Sequence, residues 1–250
     1  MKKNILGFFI AAGIVLGSCN ENDAPATAKV QLEMKATTSL SRISASGRGM
    51  ATGLIFREIL VGVTELEFET LEENELEEEN DTQDGENHDG ENENEEIEFE
   101  GPFVVDLIQG TSTPDFGVAD LLPGLYEEME IEIGPVLDGG ISLFIALDLP
   151  REGADALKIE YSNSNEMEIE IERDAGFHVD GGALNQFLIL FDLDSLFLSI
   201  DFNQAVVDAD GIIRINASSN AYLAALIEAN LTHALEAGED EDGDDEIDED

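Results

Sequence analysis

The sequence predicts a mainly β protein: an antiparallel β-sandwich with a C-terminal α-helix, interrupted by a disordered acidic insertion and followed by an acidic tail. Three observations predict it. Apolar and polar residues alternate with period two over many segments bounded by Gly, Pro, Asn and Asp, as in Leu66-Glu67-Phe68-Glu69. Residues 220–237 instead repeat their apolar side chains at helical spacing. The acids are segregated: of 58 Asp and Glu, 16 fall in residues 71–100 and 11 in residues 236–250, and neither run contains Lys or Arg. Runs of that composition cannot bury enough apolar surface to order themselves.

The first element is an export pattern. Lys2 and Lys3 precede the apolar run Ile5 to Leu16, which is too short to span a bilayer, and small residues follow it, so residues 1–18 read as a signal peptide. The box that closes it, Leu16-Gly17-Ser18-Cys19, resembles a bacterial lipoprotein signal. That resemblance implies cleavage before Cys19 and acylation of its thiol. Cys19 is the sole cysteine of the chain, so no disulfide partner competes for it within the chain. Asn20-Glu21-Asn22-Asp23 resembles the surface-export signal of Bacteroidota lipoproteins. It implies a lipid-anchored outer-membrane protein at the cell surface, with the periplasmic face of that membrane as the alternative. Residues 19–52, rich in Ala, Ser, Thr and Gly, read as a flexible tether with a reach of roughly 30 Å. Lys29, Lys35, Arg42, Arg48 and Arg57 lie in or beside it, either to solubilise a linker or to fold back on acidic surface.

The domain itself is expected at residues 53–237. Leu54 to Thr70 reads as a strand, apolar on both faces at first and then alternating. Residues 71–96 form the disordered insertion, tolerable because loop closure costs little more as loops lengthen. A second strand is expected from Ile97 to Leu107. Pro123-Gly124 reads as a type II turn with positive φ at the glycine, feeding a strand with Leu125, Met129, Ile131 and Ile133 on one face and Glu128, Glu130 and Glu132 on the other. Such a carboxylate row fits a solvated sheet face or a cation-binding one. Further strands are expected at Ile141–Leu149, Leu157–Tyr161, Met167–Ile171 and Gly211–Asn216, with a fully covered one at Phe187–Phe191. Leu193 to Phe202 fits a short helix or a strand. The helix, Asn220 to Ala237, carries Leu223, Leu226, Ile227, Leu231, Ala234 and Leu235 on one face, a cap at Ser219 or Asn220, and Gly238 just past its end. Residues 238–250 are the disordered tail.

The combination of Asp106-Leu107-Ile108, a loop, Leu122-Pro123-Gly124 and Tyr126 before an alternating strand resembles the lipoprotein domains grouped as domain of unknown function 4382. The resemblance covers about residues 54–135. It implies a prealbumin-like β-sandwich acting as a surface or extracellular module, and it carries no functional residue over.

Composition bounds the function. A formal charge of −47 repels phosphates, so nucleic acid is excluded as a partner. The chain has three histidines and lacks nucleophile elbows, His-Glu-x-x-His helices and phosphate loops, so the reading is not an enzyme. No cofactor is expected, with calcium the one candidate: Asp208-Ala209-Asp210-Gly211 gathers carboxylates without EF-hand spacing, and an aspartate-stabilised turn is the alternative. The expected partners are the membrane, through the lipid anchor, and an unknown surface ligand, glycan or protein. Absence of Trp and only three Tyr speak against a broad aromatic sugar platform. The rival reading is a structural cell-envelope component whose acidic segments condition the surface or take up cations weakly.

Overall fold

A computed structural model describes residues 27–38, 50–51, 53–70, 97–240 and 243–248. The signal peptide, the lipobox Leu16 to Cys19, the Asn20 to Asp23 motif and the insertion 71–96 lie outside the described residues. In chain order the strands are β1 (Ala28–Thr37), β2 (Met50–Ala51), β3 (Leu54–Thr70), β4 (Ile97–Glu98), β5 (Phe103–Asp106), β6 (Thr111–Thr113), β7 (Val118–Leu121), β8 (Gly124–Ile133), β9 (Leu143–Arg151), β10 (Ala154–Asn163), β11 (Met167–Val179), β12 (Leu184–Asp192), β13 (Ile212–Ile215) and β14 (Leu235–Glu239). Helical segments are α1 (Leu193–Leu196), a 3-10 turn at Phe202–Gln204, and α2 (Ala221–Leu231).

The protein is mainly β, with two sheets. The smaller has the order β14-β12-β1-β7; the larger runs β11-β8-β3-β9-β10-β13, with β2, β4 and β5 also on β3. Pairing is mostly antiparallel, but β1–β12 and β10–β13 are parallel, so the sandwich is mixed rather than purely antiparallel. The spine is β3. At its middle, Gly62 donates to the Ser142 carbonyl at 2.8 Å and accepts from the Gly134 N–H at 3.0 Å. In an antiparallel ladder the N–H and C=O of one residue face the same side. The end of β8 and the start of β9 therefore lie in line along one edge of β3.

Each half of β3 has its own cover. The smaller sheet packs on the C-terminal half, where the Phe187 ring lies 5.2 Å from Phe68 and 6.0 Å from Phe177. Over the N-terminal half lie the helical segments: Phe197 packs 5.6 Å from Phe56, and α2 buries Leu223, Ile227 and Leu231. The two layers share one hydrophobic core.

Several expectations are corrected. The tether is much shorter than 19–52, because residues 28–37 form a central strand whose Ala28, Val30, Leu32, Met34 and Ala36 are buried in alternation. The strand Ile97–Leu107 is split into β4 and β5, although Phe99, Gly101 and Leu107 still donate to β3 carbonyls. Gly124 does not occupy a positive-φ turn position; it is the first residue of β8, paired with Val179. Leu125 does not share the buried face, since register shifts opposite both β3 and β11 mark a bulge near Glu127 that turns Tyr126 inward and Leu125 outward. The ambiguous segment 193–202 is α1 followed by irregular chain.

The expected helix 220–237 ends at Leu231. Its last residues become β14, drawn into pairing with β12 from Leu235↔Phe191 to Glu239↔Phe187. Gly238 is thus a strand residue rather than a cap, and a Cβ there would collide with Ile247. The tail is ordered in part: buried Asp240 accepts from the Gly243 and Asp244 N–H groups, and Asp245 joins Glu33 in bonding the Lys35 ammonium, each at 2.6 Å. Burial pulls the Lys35 pKa down, but these two acids outweigh it and hold the group above its ordinary value.

The corrected β1 gives a direct test. Met34→Ala should destabilise the protein by ~2–5 kcal/mol in urea unfolding, as a core truncation does. Leu226→Ser, on the exposed side of α2, should change it by less than ~0.5 kcal/mol. The opposite ranking is what a tether and a buried helix face would give.

Candidate functional site

A polar cavity of about 410 Å³ lies beside α2. That volume is within the range of small-ligand sites. One wall is the α2 face carrying Ala221, Ala224, Ala225 and Glu228; the others are the β10–β11 turn, Ser162 to Asn165, and the loop Asn216 to Ser219 that follows β13. Alanines at helical spacing leave room that larger side chains would fill. The walls are held by satisfied polar groups. Asn216 Oδ1 accepts from the N–H groups of Ser218 and Ser219, both at 2.9 Å. Buried Ser142 donates from Oγ to the Asn165 carbonyl at 2.6 Å, and Asn165 Nδ2 reaches Glu228 across the mouth at 2.8 Å. At the floor the pKa of the Tyr161 phenol is pushed up to about 12, chiefly by burial.

Asn220, expected as a helix cap, makes no capping bond. Held at φ 51°, its side chain instead donates to the carbonyls of Val206 and Arg214 and accepts from the Val206 N–H. This clamp presents exposed Val206 beside the start of α2, while Asn230 holds the Leu198 carbonyl near its end. With exposed Tyr222 and Leu226 on the helix between these tethers, an apolar shelf adjoins the polar cavity.

A second feature lies on the outer face of the larger sheet. Glu65, Glu67 and Glu69 of β3 register with Glu132, Glu130 and Glu128 of β8, which register in turn with Glu168, Glu170 and Glu172 of β11. Sheet geometry sets these stems about 4.8 Å apart across strands and about 6.7 Å along them. Burial, then the charges of Glu170 and Glu69, raise the Glu128 pKa; burial, then Glu168 and Glu69, raise that of Glu130. Among the described residues no group of three or more His, Cys, Asp or Glu could hold a metal ion.

At the calcium candidate, Asp208 and Asp210 are bridged by Arg214. Its Nη1 bonds Asp208 at 2.9 Å, its Nη2 bonds Asp210 at 2.9 Å, and its Nε lies 3.3 Å from Glu160. The guanidinium takes the position a cation would take. Bonds from Arg214 and the Ile212 N–H lower the Asp210 pKa, and those to Asp210 and Asp208 raise that of Arg214. His178 lies 3.5 Å from Asp180 at the end of β11, His233 is exposed after α2, and His88 is outside the described residues.

No protein-family model, curated protein or solved structure matches this chain. The site therefore rests on its own chemistry. Sequence reading missed Tyr161, Asn163, Asn165, Asn216 and Glu228. The available signal was two Ser/Asn-rich turns, 162–165 and 216–220, together with alanines at 221, 224 and 225.

Two outcomes follow from the charge geometry. Arg214→Ala leaves Glu160, Asp208 and Asp210 facing one another, so calcium should raise its Tm saturably while leaving wild type unchanged, as read by calorimetry. For the glutamate lattice, a carboxyl with a raised folded pKa takes up its proton in the folded state first. Stability from that lattice therefore grows as pH falls through the raised pKa and levels off at the unfolded value. At low salt, Tm should rise as pH is lowered from 7 toward the ordinary Glu range, and Glu128→Gln with Glu130→Gln should flatten the rise.

Proposed function

We propose that this chain is a lipid-anchored cell-surface lipoprotein acting as a non-catalytic binding module for a glycan or a similarly hydroxyl-rich ligand. The observation that carries it is the α2 cavity, lined by amides, hydroxyls and small side chains. Neutral donors and acceptors in a partly closed space favour a neutral ligand with many hydroxyls, and the shelf at Tyr222 and Leu226 offers apolar contact beside it. Two lining residues carry acidic groups: Tyr161, whose phenol burial keeps protonated, and Glu228, held by Asn165. The hydrogen bond from Asn165 occupies Glu228, which supports binding over catalysis. The resemblance to lipoproteins with domain of unknown function 4382 supports an extracellular module, and Leu16-Gly17-Ser18-Cys19 supports the anchor. Two or three acyl chains at ~0.8 kcal/mol per buried methylene would make that anchor durable.

A second reading, a structural envelope component with no specific ligand, is favoured by the glutamate lattice. A glycan array separates the two. Specific hits should be weakened at least ~10-fold, about 1.4 kcal/mol, by Ala225→Phe, which fills the cavity from an exposed helix position. Uniform absence of binding, or only diffuse divalent-cation uptake, would favour the envelope reading. In parallel, Cys19→Ala should move the protein from membranes to the soluble fraction after a carbonate wash.

A further inference from the structure

The end of the sandwich where the chain enters its first strand differs chemically from the rest of the surface. Ala28 pairs with Leu121, and Lys29 registers with Leu184 on the other side. Two loops flank this point, Leu121-Leu122-Pro123-Gly124-Leu125 and Gly181-Gly182-Ala183-Leu184, and neither contains an ionisable side chain in a chain of formal charge −47. They meet: a Cβ on Gly181 would come within 3.0 Å of Pro123 Cγ. Leu125 and Leu184 stand 44% and 50% exposed although nearby Tyr126 and Phe187 are buried. The bulge near Glu127 turns Leu125 outward here, and the described residues leave it open to solvent.

Chain length says what can reach this rim. Eight residues separate Cys19 from Ala28. Fully extended, the segment from Cys19 to Ala28 spans roughly 30 Å, and as a flexible coil it averages about 16 Å. On the reading that Cys19 is acylated, the domain is held within that reach of the membrane, and this rim is the part held nearest to it. We propose that the rim formed by Pro123, Leu125, Gly181 and Leu184 seats in the interfacial layer of the lipid bilayer and orients the whole domain.

The orientation has a functional consequence. Val61 of β3 registers with Leu143 of β9, which registers with Asn163 at the cavity, whereas Thr70 at the other end of β3 registers with Tyr126 beside the rim. Nine residues of strand, about 30 Å, thus separate the two levels. Seating the rim points the α2 cavity away from the lipid. Asp120, Glu127 and Asp180 border the rim together with Lys29, which registers with Leu184, His178, which registers with Leu125, and Arg173 beside Leu125. A border of both signs fits a zwitterionic surface, and the net charge of −47 on the whole chain should make anionic lipid weaken seating.

The chain has no Trp, so Leu184→Trp supplies a single reporter at an exposed position, with Leu226→Trp on α2 as its distal counterpart. The full-length acylated protein, its modification verified by mass spectrometry of the N-terminal peptide, is reconstituted into phosphatidylcholine vesicles containing brominated lipid. Interfacial residues sit about 5–10 Å deep, within reach of the bromines. The expected result is a blue-shifted emission from the Leu184→Trp variant, quenched at least ~2-fold, with the Leu226→Trp variant unquenched. Including phosphatidylglycerol should weaken the quenching of the first. An unquenched Leu184→Trp variant that stays on the vesicles overturns the rim while leaving the anchor intact. A blue shift that follows protein concentration and ignores bromine also overturns it, assigning the rim to a second copy. Absence of acylation defeats the anchor reading, and with it the tether that brings the rim to the lipid.

Discussion

The larger sheet depends on residue 62 having no side chain. A Cβ there would lie 2.6 Å from the Gly134 carbonyl oxygen and 2.7 Å from Val136 Cβ, distances that real side chains do not tolerate. Because Gly62 lets the backbones close in, β3 can hold β8 and β9 in line on one edge and serve two packing layers with one strand. Its C-terminal half faces the smaller sheet and its N-terminal half faces the helical segments. The cavity exists because of that division: the β10–β11 turn and the loop after β13 belong to the half that α2 covers.

Charge in this fold is arranged rather than neutralised. Glutamates crowd the outer face of three adjacent strands, where water and counterions screen them, while several basic side chains each make a specific join. Arg214 joins Asp208 and Asp210 of the turn before β13 to Glu160 of β10, Lys35 ties the segment after β14 back to β1, and Arg57 bonds Asp148 across the β3–β9 pair. Exposed pairs of this kind contribute little to stability individually. Their effect is positional: they decide where acidic chain lies.

Much of the fold was legible because period-two alternation depends only on which face is wet. Strands β3, β8, β9, β10, β11 and β13 announce themselves that way, and β12 by its unbroken apolar run Phe187 to Phe191. The failures occurred where a partner decides. Ala28-Lys29-Val30-Gln31-Leu32-Glu33-Met34 alternates as well as any strand, but its small residues and basic side chains resemble a linker until β12 and β7 flank it. Residues 235–239 continue a helical pattern, and only pairing with β12 makes them a strand. Leu125 obeys the alternation and is displaced by a bulge that pairing registers reveal. The Asp208-Ala209-Asp210 turn was legible as an acidic cluster, whereas Arg214, four residues beyond Asp210, supplied its cation. The cavity was least legible, since its walls come from three segments that sequence spacing does not bring together.

The order of strands in the smaller sheet carries a consequence for when the fold can close. β1 is the first strand made, yet its neighbours are residues 118–121 and 184–192, and the far edge of its sheet is residues 235–239. Contacts of such sequence separation form late, because the intervening chain must be present before they reward closure. A polypeptide made from its N-terminus therefore leaves β1 without either neighbour until residue 118 is reached, and without its longer partner β12 until residue 192. Completion of the smaller sheet then waits for residues 235–239, so the topology holds the core open until almost the whole chain is present.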